Sequence, residues 1–128
     1  MWRRSAAGVG VLFGLWLLTG CALAEPVPPV AEAGGELTTV AGEPVLLDAS
    51  GSFDPDGGRL VRYTWTIVGT PAGRETRLGE VLADVEEPVV AVGPFGPNDV
   101  GRWELELEVT DETGLRATDT IFLDVRRP

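Results

Sequence analysis

The residues in this chain best suited to chemistry are carboxylates. Glu104, Glu106 and Glu108 recur at every second position, which on a strand sets them on one face about 7 Å apart at a rise near 3.4 Å per residue. That spacing falls in the window of roughly 6.5–9.5 Å between the paired acids of inverting glycosidases. A solvated strand face, however, has no cleft and nothing to keep one carboxyl protonated, so the row reads as a wet face. It would guard a sheet edge against unwanted pairing or meet a basic partner. A second group comprises Asp54 and Asp56, which flank Pro55 in a glycine-rich stretch, and Asp111, which lies beside Glu112 at another strand end. If sandwich loops bring these together, several hard oxygens would suit Ca²⁺, which takes about 6–8 of them. The competing reading is that Asp and Ser close turns on their own backbone, as Asp48, Ser50 and Ser52 are placed to do. Ser50 and Ser52 are not activated nucleophiles: the chain has no His and no Lys to serve as base, which excludes a hydrolytic triad.

The elements that position these groups are strands. With 128 residues the chain has room for one domain, and its formal net charge of −10 excludes a nucleic-acid binder, which needs the opposite sign. A single Cys excludes an internal disulfide and a multi-cysteine zinc site. From Ala31 onward the apolar residues alternate with period two rather than at helical spacing. In Arg102 to Thr110, Trp103, Leu105, Leu107 and Val109 take the core face. In Val61 to Val68 the inward set is Tyr63, Trp65 and Ile67. Val45 with Leu47 and Ala49, Leu37 to Val40, and Ile121 with Leu123 and Val125 give three more strands. Thr76 to Leu82 and Pro88 to Val92 are weaker candidates. Turn residues separate them: Ala41 and Gly42, Asp54 to Gly58, Pro71 to Gly73, Gly93 to Asn98, and Asp111 to Gly114. The expected fold is all-β, a seven-stranded antiparallel immunoglobulin-like sandwich. Without the disulfide of antibody domains, a buried Trp65 and Trp103 would have to carry more of the core. Phe53, Phe95 and Phe122 fall in loops or out of phase and are expected as exposed contacts.

The first residues read as an address. Met1 to Arg4 is a short positive segment, followed by an uncharged apolar run, as in a secretory signal. Leu18, Thr19, Gly20 and Cys21 resemble the bacterial lipobox, in which the cysteine is lipidated and the chain is cut before it. Residues 1–20 are then a signal peptide, and residues 21–30 are a lipidated Cys21 followed by a proline-rich tether. Residues 31–128 form the domain. Two other processings fit the same residues: cleavage after Ala24 at the A-x-A site, or an uncleaved membrane anchor. With Ala22 rather than Asp after the cysteine, the lipoprotein sorting rule favours the outer membrane if the cell is Gram-negative.

Val45 to Gly58, with Asp48, Ser50, Ser52, Asp54, Pro55, Asp56 and Gly57 in place, followed by Tyr63 and Trp65, is similar to the polycystic kidney disease (PKD) domain pattern V-x-L-D-x-S-x-S-x-D-P-D-G and Y-x-W. Val109, Thr110, Asp111 and Gly114 match its later V-T-D-x-x-G. After Trp65 the chain departs from the frequent W-x-F-G-D-G, so nothing attributed to that acidic loop carries over. The resemblance implies an extracellular module for adhesion, spacing, or protein or carbohydrate contact, and some domains of this kind resemble calcium binders. Two functions follow as expectations. One is a non-catalytic contact module, held to the membrane by its lipid and meeting an envelope protein or polysaccharide through Phe53, Phe95, Phe122 and the Glu104, Glu106 and Glu108 row. The other is a spacer or accessory subunit with no ligand of its own. No cofactor is expected other than calcium at Asp54, Asp56 and Asp111.

Overall fold

The computed structural model describes residues 25–128, which form two stacked sheets. Seven strands follow one another: β1 (Leu37–Val40), β2 (Val45–Asp48), β3 (Leu60–Gly69), β4 (Val81–Val85), β5 (Val89–Val92), β6 (Gly101–Asp111) and β7 (Arg116–Arg126). One sheet has five strands in the order β1-β7-β6-β3-β4, and the other pairs β2 with β5. This is the immunoglobulin-like sandwich expected from the alternation, with one departure: β1 runs parallel to β7, from Leu37 beside Leu123 to Val40 beside Arg126.

The long strands form where the alternation is strictest, because a sheet with one wet face must place every second side chain in the core. On β6, Trp103, Leu105, Leu107 and Val109 are fully buried. Opposite them on β3, Trp65 pairs with Leu107 and Ile67 with Leu105. Leu47 and Val92 close the core from the smaller sheet. Asp119 interrupts the apolar phase of β7 at an inward position opposite Leu107. Its Oδ2 accepts the Ala33 N–H at 2.8 Å, which clasps the incoming chain to β7. Further back, Val30 and Phe53 exchange backbone hydrogen bonds, and the Val27 N–H donates to Asp56 Oδ2 at 2.9 Å. The proline-rich segment therefore lies against the Asp54–Gly58 loop.

The weak strand candidate over Thr76 to Leu82 is corrected. Glu75–Arg77 is a 3₁₀ turn, and the strand begins only at Val81. Local ionic chemistry wins over alternation there: Arg77 Nε meets Glu80 Oε1 at 2.8 Å, which closes the turn on itself.

Candidate functional site

The outer face of the five-stranded sheet carries the carboxylate row. β6 lies between β7 and β3, so Glu104 faces Phe122, Glu106 faces Thr120 and Thr66, and Glu108 faces Thr118 and Thr64. The row therefore runs down the middle of a sheet, and its expected role as guard of a sheet edge is ruled out. Gly69 makes room for it, since a Cβ there would come within 2.9 Å of the Glu104 Cβ. The cations on this face are largely committed elsewhere. Arg62 pairs with Asp84 at 2.8 Å, and Arg102 pairs with Glu36 and Asp124 while stacking over the Phe122 ring at 4.2 Å. Arg116 reaches only Glu108, at 4.0 Å. Among the described residues Glu104 and Glu106 have no ion-pair partner, although both are half-buried. Phe122 stands exposed on one flank of the row, and Val68 and Val81 on the other. These side chains sit on an open sheet. A recess of ≈ 290 Å³ lies elsewhere, lined by Glu32, Gly34, Asp48 and Ser50 among others.

The acidic loops are occupied by their own backbone. Asp54 Oδ1 accepts the Asp56 N–H at 2.9 Å, and Asp48 Oδ1 accepts the Ser50 N–H at 2.8 Å. Hydrogen bonding from Ser50 holds the Asp48 carboxyl below its usual range. Asp111 is buried, and its Oδ1 accepts the Thr113 O–H at 2.7 Å and the N–H groups of Thr113 and Leu115, both at 2.9 Å. These donors, the Thr113 hydroxyl first, stabilise its charged form and lower its pKa. Among the described residues no three His, Cys, Asp or Glu side chains gather as metal ligands. Asp54 Oδ1 and Asp111 Oδ1 take amides of their own turns, and Asp56 Oδ2 takes the distant Val27 N–H, so Asp54, Asp56 and Asp111 do not converge as one group of ligands in this structure. Ser52 Oγ accepts the Glu32 N–H at 2.8 Å, which makes it a strut between segments.

The three phenylalanines part company. Phe53 and Phe122 are exposed, at 53% and 42%. Phe95 is buried at 1%, which overturns its expected place on the surface. The loop after β5 folds back over the end of the sandwich. There the Phe95 ring meets Trp103 edge-on at 5.0 Å and 64°, and the Arg77 guanidinium covers both rings at 5.1 and 5.3 Å. Asp99, which the sequence did not single out, organises this plug. Its carboxylate accepts the Gly96 N–H at 2.8 Å and pairs with Arg74 at 2.7 Å and Arg77 at 3.2 Å, while its carbonyl takes the Trp103 indole N–H at 2.8 Å. The Pro97-Asn98-Asp99 turn was the available signal. Cys21 and the apolar run before it lie outside the described residues.

No known protein-family profile matches the chain, and no curated protein is close enough in sequence to count as a relative. Solved structures do resemble it. The PKD1 domain of Vibrio anguillarum Epp is 25% identical, with a TM-score of 0.55 over 81% of this chain and 100% of that one. The PKD domain of the KIAA 1837 protein is 20% identical, with a TM-score of 0.53 over 81% and 92%. A nucleoside hydrolase-related hypothetical protein from Saccharophagus degradans, associated with carbohydrate metabolism, is 24% identical with a TM-score of 0.59. That match covers 79% of this chain but only 26% of the other, so this chain spans about a quarter of that protein's length. Strand order, the buried Trp65 and Trp103, and the D-x-S-x-S-x-D-P-D-G turn together define a β-sandwich of immunoglobulin type. The domain is PKD-like.

Proposed function

We propose that this chain is a bacterial envelope lipoprotein, anchored through Cys21, whose PKD-like domain is a non-catalytic module for contact with a protein. One observation carries the reading. Among the described residues Glu104 and Glu106 stand half-buried and without cations in the middle of a sheet face, between exposed Phe122 and exposed Val68 and Val81. A partner offering Arg or Lys with apolar neighbours would complete both halves of that face. PKD domains among the similar structures support a contact role over catalysis. So does the absence of His, the commonest side-chain general base.

Two measurements test the reading. Metabolic labelling with a palmitate analogue should mark the chain and move it to the membrane fraction, and Cys21→Ser should abolish both; an unlabelled, soluble wild type overturns the anchor. Crosslinked complexes from detergent-solubilised membranes should disappear on Glu104→Lys with Glu106→Lys. A complex indifferent to that double reversal overturns the contact face.

A further inference from the structure

The two sheets are unequal, and the inequality leaves a gap one strand wide. β5 pairs only with β2. In that antiparallel pair the Ala49 N–H donates to the Pro88 carbonyl at 2.8 Å. Bonded positions alternate in such a ladder, so 88, 90 and 92 face β2, while Val89 and Ala91 turn their N–H and C=O groups to the outer edge. No hydrogen bond among the described residues uses them.

Four strands stand at sheet edges, and three carry polar groups within them: Thr38 and Thr39 in β1, Asp48 in β2 and Asp84 in β4. β5, with the sequence VVAV, has none. Within its four residues there is no charge, proline or bulge of the kind that blunts an exposed edge, although Glu87 and Pro88 directly precede it.

The same gap shows on the opposite sheet. Tyr63 and Trp65 of β3 are buried at 7% and 0%. Their ladder partners on the neighbouring strand β4, Val85 and Ala83, point the same way yet stay half-exposed. Nothing in the two-stranded sheet reaches far enough to cover them. Beside the free edge, Glu86 and Glu87 are exposed and have no ion-pair partner among the described residues.

Resting on the reading of this domain as a protein-contact module, we infer that the outer edge of β5 accepts an extended segment of a partner protein as a third strand. Such a strand would take up the free groups of Val89 and Ala91 and lay its alternate apolar side chains over Ala83 and Val85. Basic residues at the end that lies beside Glu86 and Glu87 would pair with them. A second copy of this chain is the poorer occupant, because each copy carries −10 and brings its own Glu86 and Glu87.

The test uses the full chain in detergent and, as probe, a capped peptide of alternating valine and threonine that ends in two lysines. Antiparallel addition places those lysines at Glu86 and Glu87. The expected result is slowed amide exchange over Val89–Val92 on adding the peptide. In Ala91→Pro, the peptide should bind at least about tenfold more weakly, since proline removes an edge donor without touching the β2 ladder. If that variant fails to fold, Glu86→Lys with Glu87→Lys should weaken binding in its place and remove its salt dependence. Glu104→Lys with Glu106→Lys should leave peptide binding unchanged, which separates this edge from the sheet face of the proposed function. Unchanged exchange at β5 overturns the inference, as does protection confined to β6. Slowed exchange that grows with protein concentration and needs no peptide assigns the edge to a second copy and also overturns it.

Discussion

Replacing Phe95 by Ala removes the plug that joins the loop after β5 to Trp103, and its effect should differ sharply from the same change at Phe53 or Phe122. Phe95 is buried at 1%, with Trp103 edge-on at 5.0 Å and Arg77 over the ring. Phe→Ala in a packed core costs about 3–5 kcal/mol, a large share of the roughly 5–15 kcal/mol that holds a domain of this size together. With a urea dependence of about 1–3 kcal/mol per molar, the unfolding midpoint should fall by roughly 2 M while the slope stays as in the wild type. Phe122 loses only an exposed stacking contact with Arg102, worth about 0.5–1 kcal/mol, and Phe53→Ala should fall within about 0.5 kcal/mol of the wild type. Far-UV circular dichroism is the appropriate readout, because Trp103 fluorescence changes with its neighbour in the folded state as well. A Phe95→Ala midpoint within about 0.5 M of the wild type would refute the assignment of Phe95 to the core. A Phe122→Ala cost equal to that of Phe95→Ala would refute it equally.

Two further changes probe the backbone and the acidic turns. Gly101 has φ of 142°, and a Cβ there would lie 2.7 Å from the Pro71 Cβ, so Gly101→Ala should cost at least about 2 kcal/mol and lower Tm by several degrees in a calorimetric scan; an unchanged Tm would contradict the geometry. Asp111 and Asp48 have folded pKa values below their usual ones, so their contribution is present above the unfolded values near 3.8 and is lost as pH falls through the folded ones. The stability gap between the wild type and Asp111→Asn, read from urea midpoints, should therefore be full at pH 7 and close below about pH 4; a gap independent of pH would show that the charge of Asp111 contributes nothing.

Where one face of a strand is wet and the other dry, the sequence was a sufficient guide. The inward residues of β3 and β6 follow from alternation alone, and so does the outward aspect of Glu104, Glu106 and Glu108. What alternation does not encode is which strand lies beside which. The row looked suited to an edge and proved central, and the four-residue β1 gave no sign that it would run parallel to β7. Loop residues have no period at all. Phe95 is therefore indistinguishable in sequence from Phe53, and Asp111 from a metal ligand, until the chain closes around them. The stretch around Thr76 misled for a different reason: its i, i+3 pair, Arg77 and Glu80, stabilises a turn that its alternating apolar residues would not suggest.

The parallel pairing of β1 and β7 also fixes how the domain bears load. The chain comes in near the Asp54–Gly58 loop, where Val27 and Val30 are held, and β7 delivers Arg126 to the opposite pole, beside Val40. Eleven residues of β7 at about 3.4 Å each set these poles roughly 35 Å apart. Tension between them acts along the strands. It strains the rungs from Leu37–Leu123 to Val40–Arg126 together, in shear, instead of peeling them open one by one.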